Sequence, residues 1–306
     1  MDKAIITAAI TGFTHTPSMS PYLPITPEEI SAEAVRAWEA GAAVAHIHVR
    51  EPKTGKPSWE TELFREVAVK VKSKCDIVLC FSTGGGKGMT PEQRLAAITS
   101  LKPELATFNF GSISVALFPI LDRYKEFKFE WEKPFIEMTE DLVVVNTFKT
   151  LKTFAQVFET TETKPEIEIY DVGMLNNLAF FIERGIVKKP VYMQFVLGVP
   201  GGLSATVENL VFLLNTAKSS IGDFTFSVCA AGRYQFPMCV HSLLCGGNAR
   251  VGLEDNLYLQ KGVLAKSNAE QVEKIIRIAR ELGIEPATPS EARKILSLKG
   301  IHNVNF

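Results

Sequence analysis

Eight short runs rich in β-branched, aromatic and small apolar residues recur along the chain: IITAAIT, AVAHIHV, IVLCFST, LATFNF, EIEIYD, VYMQFVL, FTFSVCA and ARVGL. Each is followed by glycine or polar residues and then by a helical stretch. Alternation of this kind builds parallel sheets, because a parallel neighbour is reached through a crossover that is usually a helix. Eight such units in 306 residues match the size of a (β/α)8 TIM barrel, with a doubly wound open sheet as the alternative α/β architecture. Thr26-Pro27-Glu28-Glu29, Thr90-Pro91-Glu92-Gln93 and Thr288-Pro289-Ser290-Glu291 each offer an N-cap threonine, a proline in the first turn and an acid or amide at the capping-box position. Neither a linker nor a composition shift interrupts the series, so 1–306 reads as one barrel domain. The longest departure, 113–140, is rich in aromatics and charge. It reads as a lobe inserted after the fourth strand, or as a solvated connection.

Strand alternation then sorts the polar residues. In AVAHIHVR, Val44, His46 and His48 share one face and Ala45, Ile47 and Val49 the other. A barrel turns its aliphatic face toward the helices, so the polar parity lines the interior, and residues near strand C-termini form the mouth. The same sorting sends inward Ser82 from strand three, Thr107 and Asn109 from strand four, and Glu166, Glu168 and Tyr170 from strand five. Gln194 follows from strand six, and Asn248, Arg250 and Glu254 from the eighth run and its end. Unpaired charges in such a cavity are costly, and a bound cation would resolve that cost. Two imidazoles about 6.6 Å apart along a strand can lean toward one ion, with Glu254 as third ligand and an open position for substrate. The alternative for the pair is a hydrogen-bonded core contact. The glycine runs STGGGKG and GVPGG, after strands three and six, can offer backbone amides to an oxyanion, at Gly84 and Gly85 for example, or can simply be tight turns.

Composition narrows the ligand. A formal net charge of -1 leaves no basic excess for nucleic acid or an anionic membrane, which points to a small molecule. Five cysteines without a CxxC pair argue against a disulfide framework or cysteine zinc site and fit a reducing cytoplasm. No leader-like segment precedes the first run, and no apolar run reaches the roughly 20 residues of a membrane span.

The set TGFTHTPSMSPYLPITPEEI, GAAVAHIHVREPKTGKP, STGGG, PEIEIYDVGM, QFVLGVPGG and GGNARVGLEDNLYL resembles the β-keto acid cleavage enzymes, from the first strand to the last residues. The resemblance implies a TIM barrel with one zinc per chain held by His46, His48 and Glu254, assembled as a homotetramer. It also implies an acyltransferase of the Claisen and retro-Claisen type, in which a β-keto acid and acetyl-CoA give acetoacetate and a new acyl-CoA. Ser82, Thr107 and backbone amides near Gly84 and Gly85 would hold the substrate carboxylate, with Asn109 beside them. Asp255 would act as base on the acetyl methyl, oriented by Arg250, and Glu168 matches another active-site carboxylate. Members acting on an amino-substituted keto acid carry a glutamate where this chain has Thr14. Phe13, Thr14 and His15 are therefore expected to face a neutral or polar substrate chain. Two rival readings use the same residues: a metal-dependent aldolase or acyl-CoA lyase, and a non-catalytic metal-binding barrel.

Overall fold

The computed structural model describes residues 3–306. All eight runs form strands: Ile6–Ala9, Val44–Ile47, Val78–Phe81, Leu105–Asn109, Lys164–Ile169, Val191–Leu197, Phe224–Ala230 and Asn248–Val251, numbered one to eight below. They are joined in one closed barrel. Closure is made by strand eight pairing in parallel with strand one, Ala249 opposite Ile6 and Arg250 opposite Thr7. This is a TIM barrel, and the open doubly wound alternative is ruled out.

The outward parity is apolar, aromatic as well as aliphatic. Ile47, Phe81, Phe108, Ile167, Phe195, Val228 and Val251 are all buried against the helices in one continuous core, each such side chain contributing about 1.5–3 kcal/mol by leaving water. At the opposite end from the mouth, Ile5, Val44, Val78, Leu105 and Tyr192 form an apolar floor, sealed by Ala292 and Leu296 of helix Pro289–Leu296. All three expected capping boxes are present, at Thr26, Thr90 and Thr288. Above the floor the interior turns polar: Thr7, His46, Thr107, Glu166, Gln194, Ser227 and Arg250 are all buried. This departs from the branched apolar layers usual in such barrels, and it makes the upper half of the barrel a site rather than packing.

After strand four the chain leaves the β/α rhythm. Ile113–Ser114 pairs antiparallel with Val143–Val144, and between them lie a 3-10 turn at Phe118–Asp122 and a short helix at Glu132–Glu137. The segment is tied to the barrel loops by buried Glu132, whose carboxylate accepts from Ser18 N, Ser18 Oγ and Phe129 N. Its apolar edge, Val115, Leu117 and Ile120, faces the mouth. Among the described residues no helix is long and apolar enough to cross a membrane.

Candidate active site

A cavity of about 380 Å³ opens at the C-terminal ends of the strands, where this fold carries its chemistry. Strand two delivers His46 to it and then breaks, so that His48 sits just past the strand end, with ring centroids 5.0 Å apart. Glu254 arrives from the turn after strand eight. His46 Nε2 lies 3.3 Å from Glu254 Oε2, and His48 Nε2 3.4 Å from Glu254 Oε1. Two ligands each about 2.05 Å from a tetrahedral zinc are themselves about 3.3 Å apart, so the donor set fits a divalent ion. Glu254 Oε2 is buried without a hydrogen bond, as an oxygen reserved for an ion would be. A second grouping, His46 with Cys80 and Glu166, is the poorer one. Burial pushes the Cys80 thiol well above its usual range, and it is the thiolate that ligates metal.

The charges around Arg250 point the same way. Its Nε and Nη2 hold Asp255 in a fork at 2.9 and 3.0 Å, Nη2 reaches Glu254 at 2.8 Å, and Nη1 lies 3.7 Å from Glu168. Four buried or nearly buried acids, Glu166, Glu168, Glu254 and Asp255, thus surround one guanidinium. Burial alone would raise the Glu254 carboxyl, but Arg250 and then the two histidines outweigh it and hold Glu254 well below the usual range. Burial dominates at the others: Asp255 is raised to about 6 against the pull of Arg250, Glu166 to about 7 and Glu168 to about 8. Burial also lowers His46 to about 4, leaving its ring neutral and able to ligate.

The remaining expected residues divide into two groups. Ser82, Gly84, Asn109 and Thr14 line the cavity. Ser82 Oγ accepts from Gly84 N at 3.0 Å, which leaves its proton for a ligand, and Asn109 Oδ1 has no partner. Thr107 and Gly85 stand behind the wall. Thr107 Oγ1 accepts from Thr83 N and its carbonyl accepts from Thr83 Oγ1, while Gly85 packs on the Arg94 side chain, which a Cβ would meet at 2.6 Å. Thr14 donates its hydroxyl to the Glu254 carbonyl at 3.1 Å.

Arg50 is the residue that sequence reasoning passed over. It is fully buried, and its guanidinium donates to Thr11 Oγ1 and to the carbonyls of Gly55, Thr11, Gly12 and His15. It thereby fixes the loop that carries Phe13, Thr14 and His15 into the cavity wall. Gly12 turns that loop at φ +60, with the Glu254 side chain so close that a Cβ would lie 2.3 Å from its Cγ. The signal was in the alternation already read, since Arg50 continues the parity of His46 and His48.

Residues 3–298 match the family model described as beta-keto acid cleavage enzyme. The chain is 43% identical over 305 residues, covering 99% of this chain and 98% of the relative, to a 3,5-dioxohexanoate:acetyl-CoA acetone transferase of Paraburkholderia graminis. It is 41% identical over 300 residues, covering 98% and 99%, to a 3-keto-5-aminohexanoate cleavage enzyme of Fusobacterium nucleatum subsp. nucleatum. Among solved structures, apo ObcA superposes with a TM-score of 0.73 at 22% identity, covering 92% of this chain and 66% of that one, a likeness of fold. Nearly full-length agreement with the family model, together with these relatives, shows that the chain belongs to the β-keto acid cleavage enzyme family.

Proposed function

We propose that this protein is a zinc-dependent acyltransferase that converts a β-keto acid and acetyl-CoA into acetoacetate and a new acyl-CoA. The observation that carries the reading is the meeting, at one barrel mouth, of His46, His48 and Glu254 at metal-ligand spacing with an aspartate held in the fork of Arg250. His46, His48 and Glu254 would hold the ion, which when bound polarises a ketone as a Lewis acid.

Atom balance assigns the proton transfer. The carboxylate-bearing methylene of the keto acid exchanges its acyl group for acetyl: the bond from C2 to the acetyl carbon forms, the C2–C3 bond breaks, and the CoA thiolate moves to the departing acyl group. The acetyl methyl emerges unchanged as the methyl of acetoacetate, so the proton removed is one on C2 of the keto acid, and the expectation of an acetyl-methyl carbanion is set aside. Asp255 is the base. Its carboxyl, raised to about 6, is ionised yet basic near neutral pH, and each oxygen keeps a lone pair beyond the one Arg250 engages. Arg250 holds that carboxylate and, through Nη1, offsets negative charge developing beside it. Glu168, raised to about 8 by burial, is protonated near neutral pH and able to donate to a reacting oxygen. Ser82 through its hydroxyl proton and Asn109 through its amide N–H hold the substrate carboxylate, with Gly84 N–H orienting the Ser82 oxygen. Thr107 and Gly85 act as positioning residues behind them, keeping the 82–85 turn in shape.

For the keto acid we favour an uncharged chain. The P. graminis relative is named for 3,5-dioxohexanoate, whose chain beyond the reacting ketone is neutral, and here Thr14 brings no charge to the wall. We further place the protein in the cytoplasm as a homotetramer. Its free cysteines and the exposed Phe148, Phe180, Val211 and Phe212 support that view. The decisive experiment incubates the metal-loaded protein with acetyl-CoA and a panel of β-keto acids. Metal-dependent acetoacetate from at least one acid is expected, and none from any acid would refute the reading.

A further inference from the structure

The loop at 12–16 contributes two polar side chains to the cavity wall, and their hydrogen bonds distinguish them. Thr14 is already engaged, its hydroxyl proton directed to the Glu254 carbonyl. His15 Nδ1 lies 2.9 Å from the Leu253 carbonyl. A carbonyl oxygen only accepts, so Nδ1 carries the ring proton. With that proton on Nδ1, Nε2 of the neutral ring presents a lone pair, and it accepts no hydrogen bond from any described residue. Arg50 holds the His15 carbonyl at 2.8 Å, so backbone and tautomer are both set before a ligand arrives. The same cavity is lined by Phe13 of this loop, by Val115, Leu117 and Ile120 of the lobe, and by the lobe's Arg123.

We propose that His15 is the specificity-determining residue for the far end of the keto acid, its Nε2 accepting a hydrogen bond from a neutral hydroxyl or enol O–H on the substrate chain. The assignment rests on the proposed β-keto acid chemistry and deepens it by naming the substrate class: a keto acid whose chain carries an uncharged hydrogen-bond donor beyond the reacting ketone. A saturated chain leaves the imidazole acceptor desolvated and unpaired, and an ammonium finds no carboxylate on this loop. Polar discrimination of this kind is strong because the site's own group goes unpaired with the wrong ligand. Thr14, on the same wall, spends its hydroxyl proton on the Glu254 carbonyl and so holds the Glu254 backbone.

The test compares kcat/KM for 5-hydroxy-3-oxohexanoate, 3-oxohexanoate and 3-oxo-5-aminohexanoate in wild type and in His15→Asn. The asparagine amide can still donate to the Leu253 carbonyl but has no group at the Nε2 position. Wild type is expected to favour the hydroxy acid over both others by about 10-fold or more, worth about 1.4 kcal/mol. In His15→Asn the hydroxy-to-deoxy ratio should fall toward one, with melting temperature and bound metal unchanged. If wild type makes acetoacetate but does not prefer the hydroxy acid, the role of His15 is overturned whether or not the variant folds. It is overturned equally if the ratio survives in a folded variant. A wild type inactive on every acid would overturn the underlying chemistry as well.

Discussion

Arg50 offers a perturbation whose size can be worked from its contacts. Its guanidinium donates to five acceptors, four of them backbone carbonyls, and the side chain is wholly buried. Arg50→Lys keeps the charge but has three N–H donors on one nitrogen, so at least two acceptors lose their partner. A buried acceptor left unpaired costs about 1–3 kcal/mol, which places the loss near 3 kcal/mol for the pair. For a chain of this size that lowers the melting temperature by roughly 6 °C, taking about 2 °C per kcal/mol. The effect should be localised. Amide hydrogen exchange should accelerate at 11–16 while the strands stay protected, because three of the four carbonyls that Arg50 holds belong to that loop. With Phe13 and His15 no longer held against the cavity, kcat/KM for the keto acid should fall as well. Calorimetry and exchange by mass spectrometry read both outcomes. A melting temperature within 1 °C of wild type, with unchanged exchange at 11–16, would show that the network contributes nothing and that the loop is held by its packing.

Three further outcomes follow from the site. His46→Ala and His48→Ala should each lose bound zinc and activity while remaining folded, read by metal analysis beside circular dichroism; full zinc occupancy in the double variant would remove these histidines as ligands. Asp255→Asn should retain zinc and lose about 10²–10⁴-fold in kcat, since an amide cannot take the proton, and a rate near wild type would exclude Asp255 as base. In chelator-treated protein, Glu166→Gln should become stabilising relative to wild type as pH rises. The folded Glu166 pKa, raised by burial to about 7, makes its contribution fully present below the unfolded value near 4.5 and lost as pH climbs through 7, whereas glutamine does not ionise. Melting curves at pH 5.5 and 8.5 check the sign, and a difference independent of pH would contradict it.

Much of the architecture was legible in the sequence because its signals are short. The eight runs became the eight strands, since alternation depends on residues two apart. The three Thr-Pro signatures became capping boxes because a cap is settled within four residues. The same parity put His46, His48, Arg250 and Glu254 on the cavity side. It would have put Arg50 there too, had a charge at the end of that strand been read with the histidines before it. Thr107 shows where parity stops. It does face inward, but whether an inward side chain meets a ligand or another loop depends on what lies above it, and here Thr83 does.

The sequence by itself therefore determined the β/α series, its inward and outward faces, and the donor types available at the mouth. Tertiary structure decided the rest. Closure of the sheet rests on Arg250 standing opposite Thr7, a pairing of opposite ends of the chain that no local pattern encodes. The roles of Thr14 and His15 were decided by carbonyls 240 and 238 residues away, which engage one hydroxyl and fix one tautomer. Even the protonation of the acids is a property of the assembled cavity: identical carboxyl groups end well below the usual range at Glu254 and near 8 at Glu168. Desolvation and distance to Arg250 exist only once the strands have brought these groups together.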